Sequence, residues 1–448
     1  MKRFVLILIP FLTLSPARAQ EPERRIITLD QAVAIALEHN RDLTSARLEV
    51  ERADARVREA WGYALPAVDL AGRYTRALER PVFFLPDFNN LSSGKTVPIE
   101  IGTAHAFDLT LSARQTLFNS TVIVGVGAAG VYSDAARRLL YAKEVETVAG
   151  VRKAFYGALM AGEVRNLMQA NLRNAEENLA NVRTMAGQGL VSEYDELRAV
   201  VGVENLRPEV IRAENNYALS LDGLRAAMGI GVSEAIDIDG ELEHKEVPKD
   251  LVDSALEAVR DENPSLQALR LQVEVNEAFV SAERSNYLPT LSAFGTLQYQ
   301  AAKNTFVVST NDFFRSAQVG LNISFNIFQG LQTNARVDQA AIEVRKSEAM
   351  LANMETNLRT AVHSTILQLN QAQQRINAQA RTVEQAERGY RIATTRFVSG
   401  AGTQLEVNDA QLALTQAKVN RIQAIYDYLV ASAELDQLLG RMPQAAVK

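Results

Sequence analysis

The chain has 448 residues, of which 47% are hydrophobic, and its 47 Lys and Arg against 53 Asp and Glu give a formal net charge of −6. This apolar content is too high for a disordered chain. The acidic balance and the lack of a Lys- or Arg-rich tract argue against nucleic acid as a partner. The sequence contains no Cys, which excludes disulfides, thiol catalysis and a lipidated N-terminal cysteine.

The first 19 residues have the pattern of a secretory signal. Basic residues at Lys2 and Arg3 precede the apolar run 4–14, and Ala17-Arg18-Ala19 ends the segment. The apolar run is shorter than the roughly 17 to 25 residues that a spanning helix needs. We therefore predict a signal peptide over 1–19 and export of the remaining chain. The longest later candidate for a spanning helix, residues 121–132, is also too short, so any bilayer crossing must use strands.

The exported part of the sequence contains two internal repeats. Residues 40–43 align with 263–266 at a shift of 223, and residues 117–119 align with 327–329 at a shift of 210. The first copy therefore carries about a dozen extra residues between these points. Length variation confined to one place is typical of a surface loop.

Each repeat contains two runs in which apolar and polar residues alternate, which predicts four strands per chain. The clearest run has apolar residues at Ala317, Val319, Leu321, Ile323, Phe325 and Ile327. The run around Phe107 alternates in the same way, the run around Val68 does so more weakly, and a run from Leu291 completes the set. Four strands cannot close a membrane barrel, whereas three copies would supply 12. A half-buried sheet packed on the chain's own helices is the alternative that this pattern leaves open.

A very long helix is predicted from about Gly330 to Phe397. Apolar residues recur there every seven positions in a row of large side chains: Val362, Leu369, Ile376, Val383, Tyr390 and Phe397. This spacing is typical of a coiled-coil seam. At 1.5 Å per residue the helix would be roughly 100 Å long, more than a compact domain needs.

The predicted fold is mainly α with a small β part. It consists of a first repeat over 20–235, a connector over 236–250 and a second repeat over 251–448. Each repeat holds a helix, two strands and a long helical hairpin. Pro208 lies in the return helix of the first hairpin and predicts a kink there.

Several local motifs resemble those of the outer-membrane efflux family across nearly all of the mature chain. They are the helix ends 64–66 and 287–289, the strand-to-helix corners 115–118 and 325–330, and the hairpin tips 189–192 and 400–403. The resemblance implies a homotrimer with a 12-stranded barrel in outer-membrane lipid, a helical barrel through the periplasm and a mixed belt that uses the connector. It also implies export without catalysis or cofactors, together with a periplasmic adaptor and an inner-membrane pump.

The same resemblance assigns candidate site residues at the periplasmic tips. The acidic constriction of the family would fall on Asp195, Glu406 and Asp409. The adaptor-docking tips would be Gly189, Leu190, Val191 and Ser192 in the first hairpin and Gly400, Ala401, Gly402 and Thr403 in the second. Phe397 and Gly402 stand where better-known members have an aromatic hydroxyl and an arginine, so the tip lock of those members cannot assemble here in the same way.

Other motifs do not predict chemistry. Residues 122–130 contain a G-x-G-x-x-G pattern, but the equivalent stretch 335–340 is ordinary helix, so we interpret the glycines as sites of tight helix packing. The four histidines are too far apart to suggest a metal site or a general base. A periplasmic coiled-coil scaffold or adaptor without a pore is the alternative function, and nothing predicts an enzyme.

Overall fold

The computed structural model describes residues 25–86, 94, 96–244 and 246–442. The predicted signal peptide lies outside these residues. Within them the chain forms eight α-helices: α1 Leu29–His39, α2 Arg41–Gly62, α3 Ser120–Gly187, α4 Glu193–Met228, α5 Lys249–Glu262, α6 Pro264–Ser285, α7 Gln332–Val398 and α8 Gln404–Leu438. The strands of the same ranges are β1 Arg25–Ile27, β2 Ala67–Arg76, β3 Val82–Pro86, β4 Thr96–Glu100, β5 His105–Phe118, β6 Ile236–Ile238, β7 Thr290–Lys303 and β8 Phe314–Ser324.

The four predicted strands form one antiparallel sheet in the order β2-β5-β7-β8. Its central pair, β5 and β7, joins the two repeats, and β2 and β8 lie at the edges. The predicted alternation extended too far, because β8 ends at Ser324 before Phe325 and Ile327. The chain turns there through Gly330 and Leu331, which both have positive φ, and enters α7.

The first inter-strand segment, interpreted from the sequence as a surface loop, contains strands of its own. Within it, β3 and β4 form a separate two-stranded hairpin. Backbone bonds from Ala77 N to Ala104 O and from Ile101 N to Pro81 O link this hairpin to the end of the β2–β5 ladder. The alternation pattern missed these strands because Val-Phe-Phe-Leu-Pro is apolar on both faces.

The two repeats have the same internal geometry. Leu70 pairs with Leu111 in the first strand hairpin, and their counterparts at shifts of 223 and 210, Ala293 and Leu321, pair with each other. The helix junctions also correspond. Asn40 caps α2 and donates to Ala227 O at 3.2 Å, while Asn263 caps α6 and donates to Leu438 O at 2.9 Å. The repeats are therefore two copies of one structural unit.

The helical hairpins pair α3 with α4 and α7 with α8, and α3 also packs against α6 and α8. The predicted seam of α7 is confirmed: Val362, Leu369, Ile376, Val383 and Phe397 are buried against neighbouring helices. Its first three members lie in one apolar cluster with Tyr428 and Leu435 of α8. No described helix has the combined length and apolarity needed to cross a bilayer.

Helix α3 begins at Ser120 and includes the whole glycine-containing stretch, so the strand of a nucleotide-binding motif is absent there. The explanation of these glycines by tight packing was wrong for the described chain. A Cβ added at Gly125, Gly127 or Gly130 would meet no heavy atom of it within 4 Å. Helix α4 continues through Pro208 to Met228.

The connector holds the two hairpins together near their middle. Its strand β6 pairs in parallel with β1, and Tyr217 of α4 donates to Asp237 Oδ1 at 2.6 Å. Burial, together with the hydrogen bond to this carboxylate, raises the pKa of Tyr217 to about 12. Further along the connector, His244 bonds Gln373 of α7, and Tyr428 accepts from Val247 N at 2.7 Å. The connector thus contacts α4, α7 and α8.

Candidate functional site

One face of the sheet is apolar and exposed. The strand register aligns Leu70, Leu111, Leu297 and Ala317 in one row of this face. On β8, Val319 is 88% exposed in the single chain. A ten-residue strand spans roughly 33 Å, and a tilt of about 45° leaves a height close to the roughly 25 Å apolar band of an outer-membrane sheet.

Aromatic side chains lie at both ends of this apolar face. Trp61, Tyr63 and Tyr287 are exposed where α2 and α6 lead into β2 and β7. At the other end the Tyr74 ring lies 4.9 Å from Phe107 and 5.7 Å from Phe306, measured between centroids. Aromatic girdles at two levels are typical of a sheet that meets both interfaces of a bilayer.

The opposite face of the sheet is polar. Its corresponding row consists of Asp69, Ser112, Thr296 and Gln318. Further along, Gln298 donates to Asp108 Oδ1 at 3.3 Å across the β5–β7 pair. A sheet that is apolar on one face and hydrated on the other can separate lipid from an aqueous lumen.

Both helical hairpins end in the same turn. Gly189 and Gly400 have φ of 71° and 75°, and the following residues donate back to the helix, Leu190 N to Met185 O and Ala401 N to Arg396 O. This is the geometry of a Schellman cap, in which glycine adopts the left-handed conformation without strain. The sequence turn signal therefore identified both tips correctly as breaks between helices.

The structure brings the two tips together around one cavity of about 470 Å³. Among the predicted site residues, those that line it are Gly189, Leu190, Val191, Ser192, Asp195, Gly400, Gly402 and Thr403. Ala401, Glu406 and Asp409 lie outside this lining. Phe397 and Gln404, which were not predicted as tip-lining residues, contribute to it.

The three predicted acidic residues have different surroundings. Asp195 accepts from Ser192 Oγ at 2.6 Å in a capping box at the start of α4, so its carboxylate also stabilises the helix end. Glu406 lies in the first turn of α8, and its Oε2 is 4.0 Å from Arg396 Nε. Asp409 is exposed. Among the three acids, Glu406 alone has a cationic partner within 4 Å in the described part of the chain, and this pair is solvent-exposed and weak.

Phe397 and Gly402 have structural roles at the second tip. Phe397 is buried with Leu179, Val182 and Val407, where it joins the two hairpins. A Cβ at Gly402 would lie 3.0 Å from both Arg396 Cβ and Glu406 Oε2. The space that a larger residue would occupy is thus taken by Arg396, which also donates to Ala401 O at 3.1 Å. Sequence reasoning missed Arg396, although a basic residue in the last helical turn is a recognised signal.

Beyond the tips, α3 and α8 meet through amide side chains. Gln411 donates to Asn171 Oδ1 at 2.8 Å, and Asn171 donates to Thr415 Oγ1 at 2.9 Å. The Oε1 atoms of Gln404 and Gln411 accept no hydrogen bond from the described chain. A cavity of about 230 Å³ adjoins these groups. The contact between the two hairpins here is neutral and incompletely satisfied, unlike the apolar seam within the second hairpin.

The described residues contain no group of three His, Asp or Glu side chains arranged to hold a metal ion. The features above instead define a membrane-transport protein, whose sheet meets the bilayer and whose long hairpins extend away from it. Comparison with known proteins identifies which family it is.

The sequence matches the family of outer membrane efflux proteins over residues 32–230 and 255–441. It is 22% identical to outer membrane protein TolC of Salmonella enteritidis, covering 90% of this chain and 80% of that protein. It is 26% identical to the alkaline protease secretion protein AprF of Pseudomonas aeruginosa, covering 75% and 70% of the two chains. The crystal structure of outer membrane protein VceC of Vibrio cholerae superimposes with a TM-score of 0.75 at 18% identity, covering 92% and 96%.

The chain belongs to the outer membrane efflux protein family. It is an outer-membrane transport protein that extends into the periplasm, and its family consists of export ducts and not of enzymes. The predicted family, fold class and location are confirmed. The alternative of a periplasmic scaffold without a pore is accordingly set aside.

Proposed function

We propose that three copies of this chain form a closed outer-membrane duct, the passive exit of a tripartite efflux or type I secretion system. The observation that carries the proposal is the open four-stranded sheet of the described chain, in which the edge strands β2 and β8 each pair on one side only. Open edges are not stable in lipid, where every backbone group needs an internal partner. Pairing β8 of one copy with β2 of the next closes the ring.

The copy number follows from the lumen that a duct requires. Two copies would give eight strands, and the interior of an eight-stranded barrel is just filled by its own side chains. Three copies give twelve strands and are the smallest ring that leaves room for water and cargo. The polar row through Asp69 and Gln318 would then line this lumen.

The helices supply the remaining parts of the duct. Helix α3 has 68 residues and α7 has 67, so each reaches roughly 100 Å from the membrane at 1.5 Å per residue. The tips carry exposed backbone turns, suited to contact with a periplasmic adaptor, which would connect the duct to an inner-membrane pump. Similarity to TolC and AprF supports this arrangement. The energy for export would come from the pump.

The repeat geometry predicts the strand register between copies. Within the chain Ser112 of β5 pairs with Thr296 of β7. Moving the first forward by 210 positions gives Asn322 of β8, and moving the second back by 223 positions gives Arg73 of β2. We therefore expect Asn322→Cys combined with Arg73→Cys to form disulfides between copies in oxidised outer membranes, detected as covalent dimers and trimers on denaturing gels. Directly opposed residues lie within disulfide reach.

A matched control tests the register itself. Asn322→Cys combined with Thr75→Cys places the second thiol on the same face but two residues along, a separation of roughly 7 to 8 Å that exceeds normal disulfide geometry. The natural absence of cysteine keeps background cross-linking low. Equal cross-linking of both pairs would contradict the proposed register, and cross-linking of neither pair would contradict the ring.

The acidic tip residues are proposed to form the periplasmic constriction, as Asp195, Glu406 and Asp409 would each be repeated three times around the axis. Like charges collected in this way bind cations. We expect the triple variant Asp195→Asn, Glu406→Gln and Asp409→Asn to raise the half-blocking concentration of La³⁺ about tenfold, equal to roughly 1.4 kcal/mol of binding. Single-channel recording in a planar bilayer would measure this.

The control for the tip variant neutralises acids away from it. Glu204→Gln and Glu209→Gln lie further along α4 and remove one exposed and one half-buried carboxylate from the same hairpin. We chose Asn at position 195 because an amide oxygen can still accept the hydrogen bond from Ser192. If the half-blocking concentration of La³⁺ were unchanged in the triple variant, these three residues would not form the constriction.

A further inference from the structure

The β3–β4 hairpin is the largest departure from repeat symmetry in the sheet region. It occupies the extra length of the first repeat, at the end of the sheet away from the helices, which is the external end of the proposed duct. The bonds through Ala77 and Ile101 make it an extension of the β2–β5 ladder, and Arg80 pairs with Glu100 at 2.9 Å at its base. The hairpin thus continues the chain beyond the end of the sheet.

Both faces of this hairpin carry large apolar residues, although Glu100 shares the face of Phe84. The register pairs Phe83 with Ile99 on one face and Phe84 with Pro98 on the other. Phe84 is 69% exposed in the single chain, and Phe83 and Ile99 are exposed as well. A two-stranded ribbon is marginally stable in water, and a contiguous exposed apolar surface indicates an interface. Contact with lipid would cover only one of the two faces.

In the proposed ring, the hairpins of neighbouring copies can bury both faces of each β3–β4 hairpin. Each copy contributes one hairpin to the same rim, continuous with the proposed β8–β2 contact below it. Twelve strands about 4.8 Å apart and tilted by about 40° give a barrel radius of roughly 12 Å. Five-residue strands extend about 17 Å, which is long enough to reach the axis. Each hairpin can therefore contact the hairpins of both neighbouring copies.

We propose that the β3–β4 hairpins of the three copies pack on one another through Phe83, Phe84 and their cross-strand partners and narrow the external mouth of the duct. This inference rests on the proposed ring. It assigns to the outer end of the duct a constriction that is independent of the acidic residues at the periplasmic tip.

The first test is cross-linking between hairpins. We expect Phe84→Cys to give covalent dimers in oxidised outer membranes. The control, Val307→Cys, lies on the other external loop and is 80% exposed, and it should remain uncross-linked. If the Arg73 and Asn322 pair cross-links while Phe84→Cys does not, the ring stands and the hairpin proposal fails. If neither cross-links, the ring itself fails.

The second test measures the width of the mouth from outside. Asn322→Cys places a thiol on the polar face of β8, and intact cells are treated with a membrane-impermeant maleimide carrying a polyethylene glycol chain of a few kilodaltons. We expect Phe83→Ser with Phe84→Ser to increase the labelling rate at least fivefold and to leave labelling by a small maleimide unchanged. Equal rates for the large reagent, with the mass of the detergent-extracted particle unaltered, would overturn the proposal.

Discussion

Replacing Leu369 by Asp is expected to prevent the second helical hairpin from folding. Leu369 is 4% exposed and packs in the seam with Val362, Ile376 and Tyr428. The substitution removes a buried apolar side chain and leaves a carboxyl group without a partner, which together cost more than about 4 to 5 kcal/mol. The yield and unfolding temperature of the detergent-extracted protein would measure the loss.

The matched control is Gln374→Asp on the same helix. Gln374 is exposed, so its replacement introduces the same charged group without burying it. Surface changes of this kind alter stability by only about 0.5 kcal/mol. A Leu369→Asp protein that unfolds at the temperature of the control would mean that the seam does not hold the hairpin together.

Gly229→Ala and Gly440→Ala are expected to destabilise the chain strongly and to similar extents. The two glycines end α4 and α8 with φ of 76° and 67°. An added Cβ would lie 2.8 Å from Asn40 Cα at the first site and 2.8 Å from Glu262 O at the second. Left-handed strain and contact with backbone atoms together cost about 2 to 4 kcal/mol. Both variants should unfold several degrees below the parent protein in detergent.

Gly231→Ala provides the control for this pair of substitutions. It lies two residues beyond Gly229, and an added Cβ there would have only Ser233 Oγ nearby, at 3.7 Å. We expect its unfolding temperature to match that of the parent. A tolerated Gly229→Ala alongside a damaging Gly440→Ala would show that the two repeat junctions, despite equal geometry, contribute unequally to stability.

The long helices and the sheet could be predicted because their apolar residues recur at a regular spacing over many positions of the sequence. The heptad row of α7 repeats over Val362, Leu369, Ile376 and Val383, so no single exception obscures it. Alternation on β8 similarly runs through Ala317, Val319 and Leu321. Each pattern arises because one side of the helix or strand is buried or faces lipid while the other is polar. Apolar residues recur at a regular spacing in the sequence only when the two sides differ in this way. Strand β3 lacks that condition because both of its faces are apolar.

The candidate site was only partly readable from the sequence. Glycine turns at Gly189 and Gly400 identified the tips, since left-handed backbone favours that residue. The capping role of Asp195 and the position of Arg396 beside Glu406 depend on how the chain packs around each turn. The amide contacts between Asn171 and Gln411 join residues 240 positions apart, and a local sequence pattern cannot indicate a contact over such a separation.

The unpaired edges of β2 and β8 have a consequence for how the protein reaches its membrane. A lone chain in hydrocarbon would leave the outward-facing backbone groups of these two edge strands without partners, at several kcal/mol for each group. In the proposed ring, insertion and assembly are therefore a single event.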